Sequence, residues 1–515
     1  MKLQVGITES RPLWTTLLDQ EKTSYQVVSA PVSPADFPVL LVPRSILPYP
    51  INSLYDYLEK GGIVIASKET IKQIPANLHS RTLSLELPSD HNGNFYQGDG
   101  LKRFISGDIS VTETVARQAL HPMRKALARI LQDAFWKQGL PYARLSYYPF
   151  PFENMFSFRF DLDHYDEADF QVMCRLINQY PHCTSCFVSA KTHENASEAL
   201  KALAKLPTEI GSHSYVHHVY QSYEQNAFNL ERAEQVLESA VGKIEGFSAP
   251  HGRWTPSLQR VLEERGYLYS SEFGLDYDGF PFFAYTDNRR SSVLQIPAHP
   301  ICEGVFMEQY PDSPVTKMHD YYRDVINAKI QAGEPILIFG HPDQRIGRHP
   351  EIFEQIMREL DSYKKRIWKT EFRKIALWWK KRHDWNYKAE WVNGSLKVAD
   401  FLKDDEASLE LIFEKTRLRL QGNDLQKELS KDEISRRAGA YIKNLPKIVE
   451  ENVLLTPVQT GKRALKLWLD WETKTPLHLY KIKNLSDFLR SLLRTLYDKF
   501  MAPRKKSDIW AAYKG

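Results

Sequence analysis

Apolar residues near the amino terminus fall in short compact runs, LQVGI, SYQVV and PVLLVP, followed by INSLYDYLEKGG and then IVIAS. The runs have strand length, and INSLYDYLEKGG has helical spacing closed by glycines, so residues 1–105 predict a small parallel layer of alternating strands and helices. From 106 to 145, Met123, Leu127, Ile130, Leu131, Ala134 and Phe135 recur at helical spacing until Gly139 and Pro141, which predicts a connecting helix. Strands and helices alternate again over 146–384, where the polar residues able to do chemistry concentrate. After Trp385 the period becomes two: AEWVNGSLKV places Asn393 and Gly394 at a tight hairpin turn, and SLELIF, RLRLQ and ALKLWL continue the pattern. Residues 385–515 are therefore expected to form a small β-rich domain. Near its end, Leu485, Phe488, Leu489, Leu492, Leu496 and Phe500 share one helical face ahead of Arg504, Lys505 and Lys506. Such a face docks on the chain's own body or lies in a membrane interface.

A length of 515 residues exceeds one ordinary core and implies several domains. With 42% hydrophobic and 26% charged residues the chain is of ordinary globular type, not disordered. A net charge of +4 leaves no general basic field, so no nucleic-acid partner is expected. The basic and aromatic run KKRIWKTEFRKIALWWKKRHDW fits a helix with Ile375, Trp378 and Trp379 turned to a core. MKLQVGITES lacks the marks of a signal peptide and no later stretch has the apolar length of a spanning helix, so the expected compartment is the cytoplasm. Cys183 and Cys186 form a lone CxxC among β-prone residues, which reads as thiols packed on a strand.

In FSFRFDLDH, Phe156, Phe158, Phe160 and Leu162 alternate with Ser157, Arg159, Asp161 and Asp163. On a strand, one face is apolar and the other carries an arginine and two carboxylates, a pairing that a cation would neutralise. In EIGSHSYVHH, His213 and His217 stand four apart, so one helical turn would bring both imidazoles to one side. Two neutral imidazoles and a carboxylate make a three-ligand zinc site with a fourth position open for water. The adjacent His218 is a spare ligand.

These elements resemble the polysaccharide deacetylases, carbohydrate esterase family 4. DLD followed after about fifty residues by EIGSHSYVH is similar to the paired-Asp and HxxxH signatures, FSAPHG at 247–252 to the Arg-x-Pro-x-Gly segment, and ILIFGHP at 336–342 to the strand ending in the catalytic histidine. The resemblance implies a distorted (β/α) barrel with a divalent metal, zinc first, bound by Asp163, His213 and His217. It further implies Asp161 as general base, His341 as general acid, Pro250, His251 and Gly252 at the substrate, and an acetylated carbohydrate as substrate, in the cytoplasm a lipid-linked or nucleotide-linked sugar. Glu272, in YSSEFGLDYDGFPF, is a further candidate for substrate contact. Two departures stand out: Leu162 separates the aspartates, which leaves open the exchange of base and ligand between Asp161 and Asp163, and Ser248 replaces the arginine that orients the base. Arg159 shares a strand face with Asp161 and offers that charge, with Arg253 as the other candidate. The alternatives to a carbohydrate deacetylase are a hydrolase of small amides on the same fold and a non-catalytic metal-binding module. The run LLVPRS followed by YLEKGGIVIAS similarly resembles the Rossmann-like glutamine amidotransferase fold over that segment, but no cysteine precedes Cys174 to act as nucleophile, so the layer 1–105 is expected to be structural or binding.

Overall fold

The computed structural model describes residues 1–44, 49–88, 99–363, 366–401, 404–413, 416–440 and 448–461 except 459, together with 488, 489, 492, 493 and 496. It is a mixed α/β protein. The amino-terminal layer is a parallel sheet of β1 (Val5–Ile7), β2 (Tyr25–Val27), β3 (Val39–Val42), β4 (Ile63–Ala66) and β5 (Thr82–Ser84), in the order β2-β1-β3-β4-β5. Its central strands are buried on both sides, as compact apolar runs demand.

The segment expected as a connecting helix is more varied. The helix spans only His121–Lys137; before it, β6 (Asp99–Ser106) and β7 (Ile109–Ala116) form a hairpin, and after it comes β8 (Tyr142–Leu145). The alternation in ISVTETVA is short and its turn is only Gly107-Asp108, with Gly107 at φ +59°, so the helical pattern downstream overshadows it.

The central domain carries β9 (Asn154–Leu162), β10 (Thr184–Val188), β11 (Glu209–Ser212), β12 (Gly246–Ser248), β13 (Tyr269–Ser271), β14 (Phe282–Thr286), β15 (Arg289–Gln295), β16 (Ile336–Gly340) and β17 (Ile367–Lys369). The ladder runs β14-β15-β13-β12-β11-β10-β9-β16, with β17 also on β9, and every pairing except β14–β15 is parallel. Among the described residues no ladder joins its two ends; the chain beyond β15 meets β16 through the His299 N–H, which donates to the Leu337 carbonyl at 2.9 Å. Helices between the strands cover the outer face, where Phe156, Phe158, Phe160 and Leu162 pack. The Phe158 ring lies 4.8 Å from that of Phe353, edge on. The opposite face of β9 is buried too, so Ser157, Arg159 and Asp161 point into the interior instead of to solvent. Cys183 and Cys186 are free, buried thiols, and burial pushes that of Cys183 up to about 12.

The carboxyl-terminal strands are β18 (Lys388–Val392), β19 (Ser395–Ala399), β20 (Leu409–Phe413), β21 (Thr416–Leu420), β22 (Leu429–Ser430), β23 (Gly439–Ala440) and β24 (Val449–Asn452). The Asn393-Gly394 turn joins β18 to β19, with both residues at positive φ. These strands do not pair only among themselves. β20 pairs with β8, and β24 with β6, so two of the three sheets take a strand from before residue 146. Period two shows that a segment is a strand but not which strand it meets. ALKLWL, Leu485, Phe500 and the following basic cluster lie outside the described residues; Phe488, Leu489, Leu492 and Leu496 are helical and exposed. No helix among the described residues is long and apolar enough to cross a membrane.

A charged cluster ties these parts together. Glu21, fully buried at the end of the helix Pro12–Glu21, accepts from Arg124 at 2.9 Å, from Arg144 at 2.7 Å and from the Tyr147 hydroxyl at 2.7 Å. Arg144 continues to Glu410 on β20 at 2.9 Å, and Arg382 caps the carbonyls of Glu21, Leu145 and Ser146. Burial opposes the Glu21 charge, but the two guanidiniums outweigh it and hold the carboxyl below its usual pKa. Removing one member strands the others' charge in the interior. Glu21→Ala is therefore expected to cost about 3–5 kcal/mol in urea unfolding; a loss below about 1 kcal/mol would mean that the cluster is not a joint.

Candidate metal centre

The carboxyl ends of parallel strands gather side chains that lie far apart in sequence. Asp163 follows β9, His213 follows β11, Ser248 ends β12 and His341 follows β16. The HxxxH pair is brought together by a loop, not by a helical turn: residues 213–222 are irregular and Ser214 adopts φ +69°. The reversal at Ser214 does what a helical turn would have done, and the spacing alone could not distinguish the two.

Three ligand atoms meet here. Asp163 Oδ1 lies 3.3 Å from His213 Nε2 and 3.2 Å from His217 Nε2, and the two Nε2 atoms are 3.0 Å apart. The Asp163 oxygen is buried, and neither contact has hydrogen-bond geometry. His213 Nδ1 lies 2.8 Å from the Ser248 carbonyl, which can only accept, so the ring proton sits on Nδ1 and the Nε2 lone pair faces the cluster. Burial also keeps His217 below its usual pKa, in the neutral form that has a lone pair to give. Two lone pairs and a carboxylate oxygen aimed at one point repel unless a cation lies among them. Ligand atoms about 2.0–2.2 Å from a tetrahedral cation stand roughly 3.3–3.6 Å apart, and the observed edges come within a few tenths of an ångström of that. The residues fit a divalent metal. His218 is not in the set; its ring turns to Tyr220, centroids 4.1 Å apart.

Asp161 is buried beside this cluster. The Arg159 guanidinium donates to its Oδ2 at 2.9 Å and the Ser248 hydroxyl to its Oδ1 at 3.3 Å. Arg159 is itself held by the carbonyl and hydroxyl of Ser271, and lies over the Phe339 ring at 4.5 Å. A guanidinium two residues before Asp161 thus reaches its carboxylate.

On the other side, His341 Nε2 lies 3.8 Å from Asp163 Oδ2. Its Nδ1 contacts Glu303 Oε1 at 2.6 Å, and the same oxygen accepts from the His341 backbone N–H at 2.9 Å and from Arg345 at 3.2 Å. Burial and Arg345 oppose the imidazolium, but Glu303 prevails and raises the pKa well above 6.5. Gly340 makes room for this carboxylate, since a Cβ there would lie 2.6 Å from Glu303 Oε2. Glu303 and Arg345 carry no pattern in sequence: one lies 38 residues before His341 in HPICEGVF, and only the tertiary structure joins them.

The segment Pro250–Gly252 forms a tight turn after β12, with His251 at φ +58° and its ring 4.6 Å from that of His217. His251 is exposed at the rim, and Gly252, at φ +61°, lies against Phe273 where a Cβ would be 2.4 Å from the ring. Glu272 differs from expectation. It is 1% exposed, with Ser270 donating to Oε2 at 2.6 Å, so its side chain is enclosed instead of lying on an open surface. The period of two across YSSE puts it on the face of Ser270, opposite Ser271.

Residues 154–270 match the polysaccharide deacetylase family. The matched span holds β9 to β13, and with them Asp161, Asp163, His213, His217 and Ser248. Among solved structures, the chain is similar to a Mycobacterium smegmatis protein described as a polysaccharide deacetylase, with 18% identity, a TM-score of 0.40, and coverage of 46% of this chain and 94% of that one. It is similar to Puue allantoinase at 17% identity and TM-score 0.39, covering 47% and 95%. It is also similar to a CE4 family pseudoenzyme from Bacillus anthracis at 10% identity and TM-score 0.31, covering 43% and 65%. No curated protein matches the chain.

Burial carries the Glu272 pKa up to about 8, against the pull of Ser270 and Arg159. The folded state then holds a proton that the unfolded chain releases near 4.5, so this group's stability is complete below that pH and is lost as pH rises to about 8. Relative to wild type, Glu272→Gln is expected to gain thermal stability steadily from pH 5 to pH 8; a difference in Tm that does not change with pH contradicts the assignment.

Proposed function

We propose that the central domain is a metal-dependent hydrolase that removes an acetyl group from nitrogen or oxygen of a carbohydrate. The observation that carries this reading is the meeting of three separately supported groups: the Asp163, His213 and His217 cluster, Asp161 held by Arg159, and His341 held by Glu303. Asp163, His213 and His217 would hold the cation, which when bound supplies Lewis-acid polarisation and an acidified water. Asp161 accepts the proton of the attacking water, with Arg159 and Ser248 fixing both its oxygens. His341 donates a proton from Nε2 to the departing amine or alcohol, and Glu303 keeps that imidazole charged until it does. His251, with Pro250 and Gly252, contributes to the rim where the sugar lies.

A binding module without turnover is the reading that Ser248 alone would favour, because the base would lose its orienting cation. Arg159 answers that objection with a hydrogen bond to Asp161. The retention of an imidazole with its own buried carboxylate also has no use in a site that only binds metal. For the amino-terminal layer, the same proposal assigns a structural or binding role.

Acetate release from N-acetylhexosamine oligomers, measured beside the metal content of the purified chain, tests the reading. Wild type is expected to carry about one zinc-like ion per chain and to release acetate, and His213→Ala to lose both; equal activity in the two refutes the metal role. Arg159→Met is expected to keep its metal while turnover drops about 10- to 100-fold, the loss of a charge-assisted hydrogen bond. Unchanged turnover in Arg159→Met would return the orienting role to another residue.

A further inference from the structure

One apolar spacing occurs twice in this chain, with opposite outcomes. In the helix Glu351–Ser362, the side chains of Ile352, Phe353, Ile356, Met357 and Leu360 stand at i, i+1, i+4, i+5 and i+8 and turn to the core, none of them more than 4% exposed. Phe488, Leu489, Leu492, Leu493 and Leu496 stand at the same five relative positions and are helical. Each of these is 41–50% exposed. At about 100° per residue the five fill a sector roughly 140° wide. The spacing makes an apolar face in both segments, but only the first is covered by the body of the protein. A continuous apolar face left in water marks a surface that another phase or molecule covers.

Charge separates the two segments as well. The core-packed helix carries Glu351, Glu354, Glu359 and Asp361 against Arg358. Residues 481–506 hold eight lysines and arginines against only Asp487 and Asp498, a surplus of six in a chain whose total is +4, so the remainder of the chain is net acidic. The positive charge of the protein is therefore concentrated beside its exposed apolar face. A second copy of the segment is a poor cover: it would bring like charges together, and the sector is wider than the seam by which paired helices meet. A spanning arrangement is also excluded, because Arg490 and Arg494 interrupt the apolar residues within two turns of helix. Anionic phospholipid offers acyl chains to the apolar face and negative headgroups to the lysines and arginines, the pairing that holds a helix in the plane of a bilayer surface.

We infer that this segment seats the protein on an anionic phospholipid surface, with Phe488, Leu489, Leu492, Leu493 and Leu496 among the acyl chains and the basic residues, Arg504, Lys505 and Lys506 included, at the headgroups. Either signal alone gives marginal attachment, and the two together give a reversible peripheral contact.

Cosedimentation of the full-length protein with phosphatidylcholine vesicles, pure or containing about 30% phosphatidylglycerol, tests this. Wild type is expected to bind the anionic vesicles at least about tenfold more tightly than the neutral ones, and to lose most of that preference when salt is raised from about 0.1 M to about 0.5 M. Replacing two of the exposed leucines together, Leu489→Gln with Leu493→Gln, should weaken binding to the anionic vesicles at least about tenfold and leave the Tm of the free protein unchanged. Arg504→Ser, Lys505→Ser and Lys506→Ser combined should reduce the preference for phosphatidylglycerol about tenfold while the apolar face stays intact. Failure of wild type to sediment with the anionic vesicles, binding undiminished in the leucine variant, or a preference unchanged in the basic variant would each overturn the inference. A lowered Tm in the leucine variant would overturn it by assigning the face to the protein's own body, and a wild-type dimer that the same variant dissolves, seen by analytical ultracentrifugation, would do so by assigning it to a second copy.

Discussion

A single backbone carbonyl governs the chemistry of the centre. By accepting from His213 Nδ1, the Ser248 oxygen decides which ring nitrogen carries a proton, and so decides that a lone pair faces Asp163 and His217. The parallel register makes that contact: β11 and β12 run side by side with Ser212 opposite Phe247, so the residue after one strand meets the end of the next. Had the strands slipped by one residue, the side chains would have changed faces and the cluster would not form.

The same register explains how a guanidinium reaches the Asp161 carboxylate. Arg159 and Asp161 are two apart on β9 and therefore share the inner face. The guanidinium is fully buried, and it stays so because Ser271, Asp161 and the Phe339 ring receive it from three sides. A serine at 248 is then an advantage for space: its small hydroxyl reaches the second oxygen of Asp161 while its carbonyl remains free for His213. His341 has an equivalent arrangement, in which Glu303 and Gly340 supply charge and room. Asp161 is thus held by a neighbour two residues away on its own strand, and His341 by one that sequence spacing does not connect to it.

Much of this was legible beforehand, and the limits have physical causes. FSFRFDLDH reads as a strand with a polar inner face because its period is two without exception, and the structure buries both faces of it. His213 and His217 were legible as a pair but not as a loop, because spacing four is met by a helix and by a turn at Ser214 alike. The small parallel layer at the amino terminus follows from apolar runs closed by glycine. The sheets β8-β20 and β6-β24 were hidden, because pairing across more than 250 residues leaves no periodicity within either segment. Glu303 and Arg345 were hidden for the same reason. The burial of Glu272 was hidden, because a carboxylate among aromatics reads as surface, whereas here its side chain is 1% exposed.

The central claim is that one carboxylate and two imidazoles share a cation, and X-ray absorption at the zinc edge on the zinc-loaded protein addresses it most directly. The account predicts a first shell of nitrogen and oxygen at about 2.0–2.1 Å with outer scattering from two imidazole rings, the second ring disappearing in His217→Ala. A first shell containing sulfur, or one without imidazole scattering, would contradict it.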